Sequence, residues 1–414
     1  MEQIESVVTY ILSFKPYVML PLIIFLIATF LRIHPVISVK ACLSIGIGFI
    51  GIFLVFDYFV AAIGPATETI VEQTGVQFDA LDVGWPPLAS IAWSFTLAPV
   101  MILAVIGVNS IMLVLRLTRV INIDIWNFWH FIMVGSLVYS STGSYLLAIG
   151  AIIAAEILML KIGDFAGPYA SRYAGIPGIT ITTLSAGGYF PFGLLGNSLI
   201  ERIPFLNRLN ADPERIRRKL GLLGEPMIIG FILGGGLGIA AGYDLRMILE
   251  LAFTVAAVVL ILPLMCGILS DGLIPISEGM KEYVKKRFPH ASQTYIGLDN
   301  AILQGDTAVI VTGLLLMPIA MILAFVLPGI TFIPIGDLAN IIALGVMIVV
   351  ATRGNVIRSI IISIPLIVAH LYIAGFMASS LTRLSSDAGF KFPGYEGKIT
   401  SFFDGGLVWR LWLF

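Results

Sequence analysis

About ten apolar stretches, each roughly 17–25 residues long or nearly so, constrain this chain more than any other feature. They fall near residues 16–33, 40–62, 97–115, 125–145, 146–162, 226–242, 246–269, 308–328, 338–352 and 356–378. Runs of that length fit the hydrocarbon core of a bilayer, where every backbone N–H and C=O must find a partner inside the protein. Ten such runs make an all-α polytopic membrane protein the expectation. Composition agrees, with 58% hydrophobic and 12% charged residues and a mean hydropathy of +1.00. A net charge of −1 gives no electrostatic footprint for nucleic acid. The two cysteines, Cys42 and Cys266, sit in apolar runs, and His34, His130, His290 and His370 are scattered. Neither set has metal-ligand spacing, so no metal and no cofactor are expected. Residues 1–15 read as a retained amphipathic helix, since they lack the basic region and cleavage site of a signal peptide.

Polar, glycine-framed segments interrupt the apolar pattern. Gly297-Leu-Asp-Asn-Ala-Ile-Leu-Gln-Gly-Asp306 and Asp82-Val-Gly-Trp-Pro86 each stand at the mouth of an apolar run. Irregular polar backbone at that depth is tolerated only where protein or a water-filled cavity satisfies it. Re-entrant hairpins are therefore expected near 83–97, 178–199 and 297–307, with tips at Gly84 and Gly297, alongside amphipathic segments at 65–76 and 275–288. The densest basic loop holds Arg202, Arg208, Arg215, Arg217, Arg218 and Lys219, and the positive-inside rule assigns it to the cytoplasm. Arg32, Lys40, Arg116, Arg119, Lys281, Lys285, Lys286, Arg287 and Arg353 then fall inside. The N-terminus and the acidic loop with Glu68, Glu72, Asp79 and Asp82 fall outside; Arg246 fits this scheme poorly. Five spans before the basic loop send the two halves into the membrane from opposite sides, the condition for an inverted repeat. Gly84 and Gly297, Asp124 and Asp337, and Asn127 and Asn340 are each 213 positions apart. The chain accordingly divides into a first repeat (1–200), a basic linker (201–224), a second repeat (225–380) and a C-terminal segment (381–414).

Several residues could carry chemistry. Asp124, Asn127 and His130 recur every three residues, which places them within one arc of a helix. Asp124 is expected mainly as an N-cap, whereas His130 lies deeper and needs a partner, which favours a binding role. Trp85 beside Gly84 offers a flat face suited to sugar C–H groups, with carboxylates and amides for the hydroxyls. Asp299 is the strongest candidate, because an ionisable group in a re-entrant turn is costly. Gln304 and Asp306 serve either the site or the cap of the following helix. Glu156 lies mid-span near Lys161, where a structural hydrogen bond and snorkelling are simpler than a proton relay. Glu225 is expected to cap the sixth span, and Gly234-Gly-Gly236 to allow close helix packing. No nucleotide-binding loop, catalytic triad or ligand cluster is present in the sequence. The chain moves something, driven by an ion gradient or a partner.

The stretch Arg116-Leu-Thr-Arg-Val-Ile-Asn-Ile-Asp-Ile-Trp-Asn-Phe-Trp-His130 resembles the galactitol-type membrane component (IIC) of the phosphoenolpyruvate-dependent sugar phosphotransferase system. So do Asp82-Val-Gly-Trp-Pro86, Gly224-Glu-Pro226, Ala241-Gly-Tyr-Asp244, Ile296-Gly-Leu-Asp299, Ile335-Gly-Asp-Leu-Ala339 and Arg353-Gly-Asn355. The pattern extends from about Tyr17 to Asp404. The resemblance implies a homodimeric permease of the bacterial inner membrane, distantly similar to ascorbate IIC proteins, with a scaffold and a core that moves as an elevator. It implies a polyol held by the hairpin tips and a core-helix histidine, which places Trp85, His130 and Asp299 at the site. A second polar position falls in Thr180-Ile-Thr-Thr-Leu-Ser185, where relatives carry histidine and this chain carries Thr183. The chain ends at Phe414, short of the last span of longer relatives. Phosphoryl groups would come from cytosolic IIB, itself charged by IIA, so the chain supplies no nucleophile of its own. The alternative is an ion-coupled symporter or facilitator without phosphotransfer.

Overall fold

The computed structural model describes residues 14, 16–74, 79–93, 95–207, 225–287, 294–334, 336–338, 340–389 and 397–407. Most of the N-terminal amphipathic segment, the basic loop beyond Asn207, His290 and the last seven residues lie outside them. Helices dominate. In chain order α1 is Pro16–Phe30, α2 Pro35–Thr74, β1 Ala80–Asp82, α3 Trp85–Trp93, α4 Ala98–Val114 and β2 Val120–Asn122. A 3₁₀ turn over Ile125–Phe128 leads into α5 (Trp129–Thr142), followed by α6 (Tyr145–Ala174), β3 (Ile179–Ile181), α7 (Leu184–Gly187), α8 (Phe190–Arg202) and α9 (Pro204–Asn207). The second half runs α10 (Pro226–Ala240), α11 (Leu245–Arg287), β4 (Tyr295–Leu298), α12 (Ala301–Gln304), α13 (Thr307–Val326), α14 (Ile341–Ala351), α15 (Val356–Asp387), β5 (Lys398–Thr400) and α16 (Phe402–Gly405).

Among the described residues three helices, α6, α13 and α15, are long and apolar enough throughout to cross a bilayer; shorter apolar helical stretches lie in α2, α4, α10 and α14. Span 40–62 and the amphipathic segment after it form one helix, α2, of 40 residues, and 246–269 joins 275–288 in α11, of 43. A helix of that length exceeds the bilayer, so its amphipathic end continues past the apolar part. The expected span 125–145 becomes helical only at Trp129. The expected all-helical hairpins also contain short strands.

Local signals set many boundaries. Proline opens α1, α2 and α10, where its fixed φ is an advantage and its missing N–H is no loss. Ser144 caps α6 by accepting the Leu147 N–H at 3.3 Å. Antiparallel packing of α2 on α11 is fixed by glycines at the crossing. A Cβ on Gly272 would meet the Ala41 carbonyl at 2.6 Å, and a side chain on Gly51 would overlap Met265. Of the three glycines 234–236, Gly234 provides the close approach, 2.8 Å from the Ala252 Cα to where a Cβ would sit, while Gly236 faces open space.

Two small parallel sheets sit inside the helices. One pairs β1 with β5, Asp82 opposite Thr400. The other has order β2-β4-β3, with Asn122 opposite Gly297 and Thr180 opposite Gly297 from the other side. Parallel pairing gathers the carboxyl ends of the strands in one place, and those ends carry the polar residues described next. Around them lie two apolar cores, one centred on α13, α14 and α15, the other on α5 with α2, α3 and α4.

Candidate functional site

Where β2, β3 and β4 end, their side chains form one cluster. Thr183 Oγ1 donates to Asp124 Oδ2 at 2.8 Å and accepts the Asn300 N–H at 3.0 Å. Asn127 Nδ2 donates to both Asp124 oxygens at 2.9 and 3.0 Å. Asp299 accepts the Ala301 N–H at 2.9 Å, lies against the Asn127 amide and is within electrostatic range of His130 and Asp124. Gln304 Nε2 donates to Asn300 Oδ1. Gly297 is tightly packed, since a Cβ there would meet Thr182 Oγ1 at 2.6 Å.

A second cluster forms where β1 and β5 end. Asp82 Oδ1 accepts the N–H groups of Gly84 and Phe402, both at 3.1 Å, and Oδ2 that of Asp337 at 3.2 Å. Asp337 accepts the Trp85 N–H at 2.8 Å, the Phe403 N–H at 3.2 Å and the Ser401 hydroxyl. Gly84 has φ +71° and lies back to back with Gly336, whose carbonyl oxygen would be 2.5 Å from a Cβ.

His130 joins the two clusters. Its Nδ1–H donates to the Asn127 carbonyl at 2.9 Å, and its Nε2 lies 3.1 Å from Asp404 Oδ1 on α16. That second contact needs one proton, carried either by the ring or by the acid. Trp129 stacks on His130 at 3.8 Å, and Trp85 stacks on Trp129 at 6.4 Å, so three rings lie in series. Trp129 Nε1 and Thr182 Oγ1 are buried polar atoms without a hydrogen-bond partner among the described residues. Such atoms are uncommon in folded proteins and mark places where a further polar group fits.

The structure thus brings Asp124, Asn127, His130, Thr183, Asp299 and Gln304 together, with Trp85 one ring removed. Asp306 stands apart: it caps α13 through Ala308 and Val309, and takes the Tyr173 hydroxyl at 2.7 Å. Asp124 corrects the expectation of a simple cap. It stands at the N-cap position of the 3₁₀ turn without a side-chain cap bond, because Asn127 and Thr183 occupy its oxygens. Glu225 likewise holds an N-cap position without a side-chain cap bond. Glu156 is fully buried and takes the Asn122 amide at 3.3 Å on both oxygens. Asn122 in turn accepts the Asp124 N–H at 3.2 Å, so Glu156 bears on the site through one intermediary. Lys161 donates to the Leu117 carbonyl. His370 is held by the Leu366 carbonyl at 2.7 Å and the Tyr189 hydroxyl at 2.6 Å. Sequence reasoning missed Asp404 and Ser401, and it valued Asp82 and Asp337 as loop and repeat markers rather than as a pair. The 213-residue spacing from Asp124 was the signal for Asp337; no spacing pointed to Asp404.

Comparison with known proteins identifies the family. Residues 10–395 match the family model EIIC-GAT, PTS system sugar-specific permease component. A galactitol-specific EIIC component of Escherichia coli is 35% identical over 409 residues, covering 98% of this chain and 90% of the relative. A putative permease IIC component of the same organism is 33% identical over 398 residues, covering 96% and 91%. The chain therefore belongs to the EIIC-GAT family of sugar-specific permease components of the phosphotransferase system.

Proposed function

We propose that the chain carries galactitol or a closely related polyol across the bacterial inner membrane. The carrying observation is the bridge Trp85–Trp129–His130–Asp404 between two carboxylate clusters, beside the unpartnered Trp129 Nε1 and Thr182 Oγ1. A linear polyol offers a hydroxyl on every carbon. Asp299 and Asp124 would accept hydroxyl protons, Trp129 and Thr182 would donate, and Trp85 would cover the carbon chain. Because the polar groups here bond one another, binding exchanges protein–protein hydrogen bonds for protein–ligand ones. Net affinity then depends on how completely the hydroxyl pattern replaces them.

The two halves act as inverted repeats in this reading. Apart from β2, α8 and α9, which have no counterpart among the described elements of the second half, their elements follow the same order, and each half's first strand pairs with the other half's last, β1 with β5 and β4 with β3. The remaining parts of the reading are a homodimer, a scaffold built on α2 and α11, and an elevator movement of the core. The N-terminus lies outside, and IIB docks on the cytoplasmic face near residues 202–219 and 281–287. IIB, recharged by IIA, phosphorylates the delivered polyol, and the charged product cannot leave through an apolar barrier.

Titration of the purified protein with hexitols, pentitols and ascorbate tests the site, with Asp299→Asn as the paired variant. Loss of a charged acceptor from a hydroxyl pair predicts a drop in affinity of roughly tenfold or more; unchanged affinity removes Asp299 from the site. A symport reading draws on the buried Glu156 and its link to Asp124. Uptake by vesicles without IIA and IIB separates the two: gradient-driven accumulation there favours symport, and its absence favours phosphotransfer.

A further inference from the structure

Eight helix-end turns adopt the left-handed conformation in four matching pairs; in three an arginine is matched by a glycine, and in the fourth both are glycine, Gly175 after α6 and Gly389 after α15. After α1 the residue is Arg32 (φ +58°), and after α10 it is Gly242 (+69°). After α4 it is Arg116 (+57°), and after α13 Gly329 (+76°). After α14 it is Arg353 (+56°), and after α5 Gly143 (+68°). Glycine is the usual occupant, because a Cβ makes this conformation costly.

The arginines share one side of the molecule. Ile33, beside Arg32, packs on Gly279 near the end of α11. Arg119, beyond Arg116, accepts the Tyr295 N–H at 2.8 Å where β4 begins. Gly354, beside Arg353, faces Tyr173 at the end of α6. Their three glycine partners share the other side, whereas Gly175 caps α6 on the arginine side. Gly242 faces Gln73 at the end of α2, Gly329 follows Pro328, whose carbonyl takes the Tyr372 hydroxyl, and Gly143 lies near the Ser140–Asp387 bond at the end of α15.

Two of the arginine turns also carry an exposed apolar collar. Val114, Leu115 and Leu117 flank Arg116 at 76%, 60% and 51% exposure, and Phe30, Val36 and Ile37 flank Arg32. Arg353 has no such collar, since Thr352, Gly354 and Asn355 are buried. An exposed guanidinium rising from exposed apolar side chains, on a turn that directly follows an apolar helix, fits the boundary between acyl chains and headgroups.

We propose that Arg32 and Arg116 bind the phosphates of anionic phospholipids in the leaflet on their side, a contact that outweighs the cost of the left-handed turn. Replacement by glycine removes the charge while suiting the backbone, so R32G/R116G separates the two roles. Wild type, R32G/R116G and R353G would be compared in detergent, in phosphatidylcholine vesicles and in vesicles with added phosphatidylglycerol. Phosphatidylglycerol is expected to raise the Tm of wild type and R353G, and R32G/R116G to lose most of that rise while matching or exceeding wild type in detergent. An undiminished rise in R32G/R116G overturns the proposal, as does an equal loss in R353G. An undiminished rise with lost IIB-dependent phosphorylation would assign the arginines to a protein partner instead.

Discussion

Thr183 spends its one hydroxyl proton on Asp124 and its lone pair on the Asn300 N–H, so it ties the end of β3 to the segments that follow β2 and β4. Thr183→Val keeps the shape and removes both bonds, leaving the buried Asn300 N–H without its acceptor and Asp124 Oδ2 with Asn127 alone. The orphaned amide costs about 1–3 kcal/mol, so Thr183→Val should lower the Tm by several degrees and weaken polyol binding, with Thr183→Ser restoring both. Thermal melts and titration on the same preparations check it; a neutral valine would show that the bonds carry no weight. Glu156 yields a second contrast. Glu156→Gln retains an acceptor for the Asn122 amide, whereas Glu156→Leu leaves that amide unpaired and should cost about 1–3 kcal/mol. Uptake should therefore survive in the glutamine variant and fall in the leucine variant. Abolished uptake in both would point to a proton that glutamine cannot carry. These residues also show how far a linear reading reaches. Asp299 and His130 stood out because an ionisable group inside an apolar stretch is costly wherever it lies. Asp404 is as buried as His130, at 1% exposure against 2%, yet it follows a mixed polar tail, and only the pairing of β5 with β1 brings it to His130.

At the scale of elements, the turn before α3 and several helix ends use left-handed glycine, but for different reasons. Gly143 has open space where a Cβ would go, whereas Gly84 has the Gly336 carbonyl oxygen at 2.5 Å. Gly143→Ala should therefore cost only the backbone preference, about 1 kcal/mol. Gly84→Ala must also push the 336–338 segment off Asp82 and the Trp85 N–H off Asp337, breaking the second cluster. Expression, melting and transport of the two alanine variants are expected to diverge, with near-normal Gly143→Ala and inactive Gly84→Ala. Equal behaviour would mean that the Gly84–Gly336 approach relaxes freely. The apolar runs announced most helices, whereas Gly297, expected at a hairpin tip, lies within β4 between two paired strands. The strands were not legible. At three or four residues each they carry too short a pattern to tell from helix ends, and their stability comes from partners far away in the chain. The same distance hid the fusion of spans with amphipathic segments into α2 and α11, since a polar face changes the hydropathy of a helix without interrupting its backbone.

Exchange of strands between halves governs the molecule as a whole. In the first cluster Asp124 and Thr183 come from the first half, Asp299 and Asn300 from the second; in the second cluster Asp82 comes from the first half, Asp337 and Ser401 from the second. Neither half completes either sheet, because β1 lacks β5 and β4 lacks both β2 and β3. The packing of α2 against α11 crosses the same divide. A lone half would expose strand edges and buried carboxylates together, which lipid tolerates poorly. Cutting the chain between residues 207 and 225 tests this directly, since the cut spares every described element. Each fragment expressed alone is expected to be degraded, while the two expressed together should co-purify through a tag on one and recover polyol binding. If either fragment alone proved stable and monodisperse, the exchanged strands would be ornament on two self-sufficient domains. The same experiment on Asp337→Ala should weaken co-purification, because Asp337 holds the Trp85 and Phe403 N–H groups at once and so joins the first half's α3 to the second half's α16.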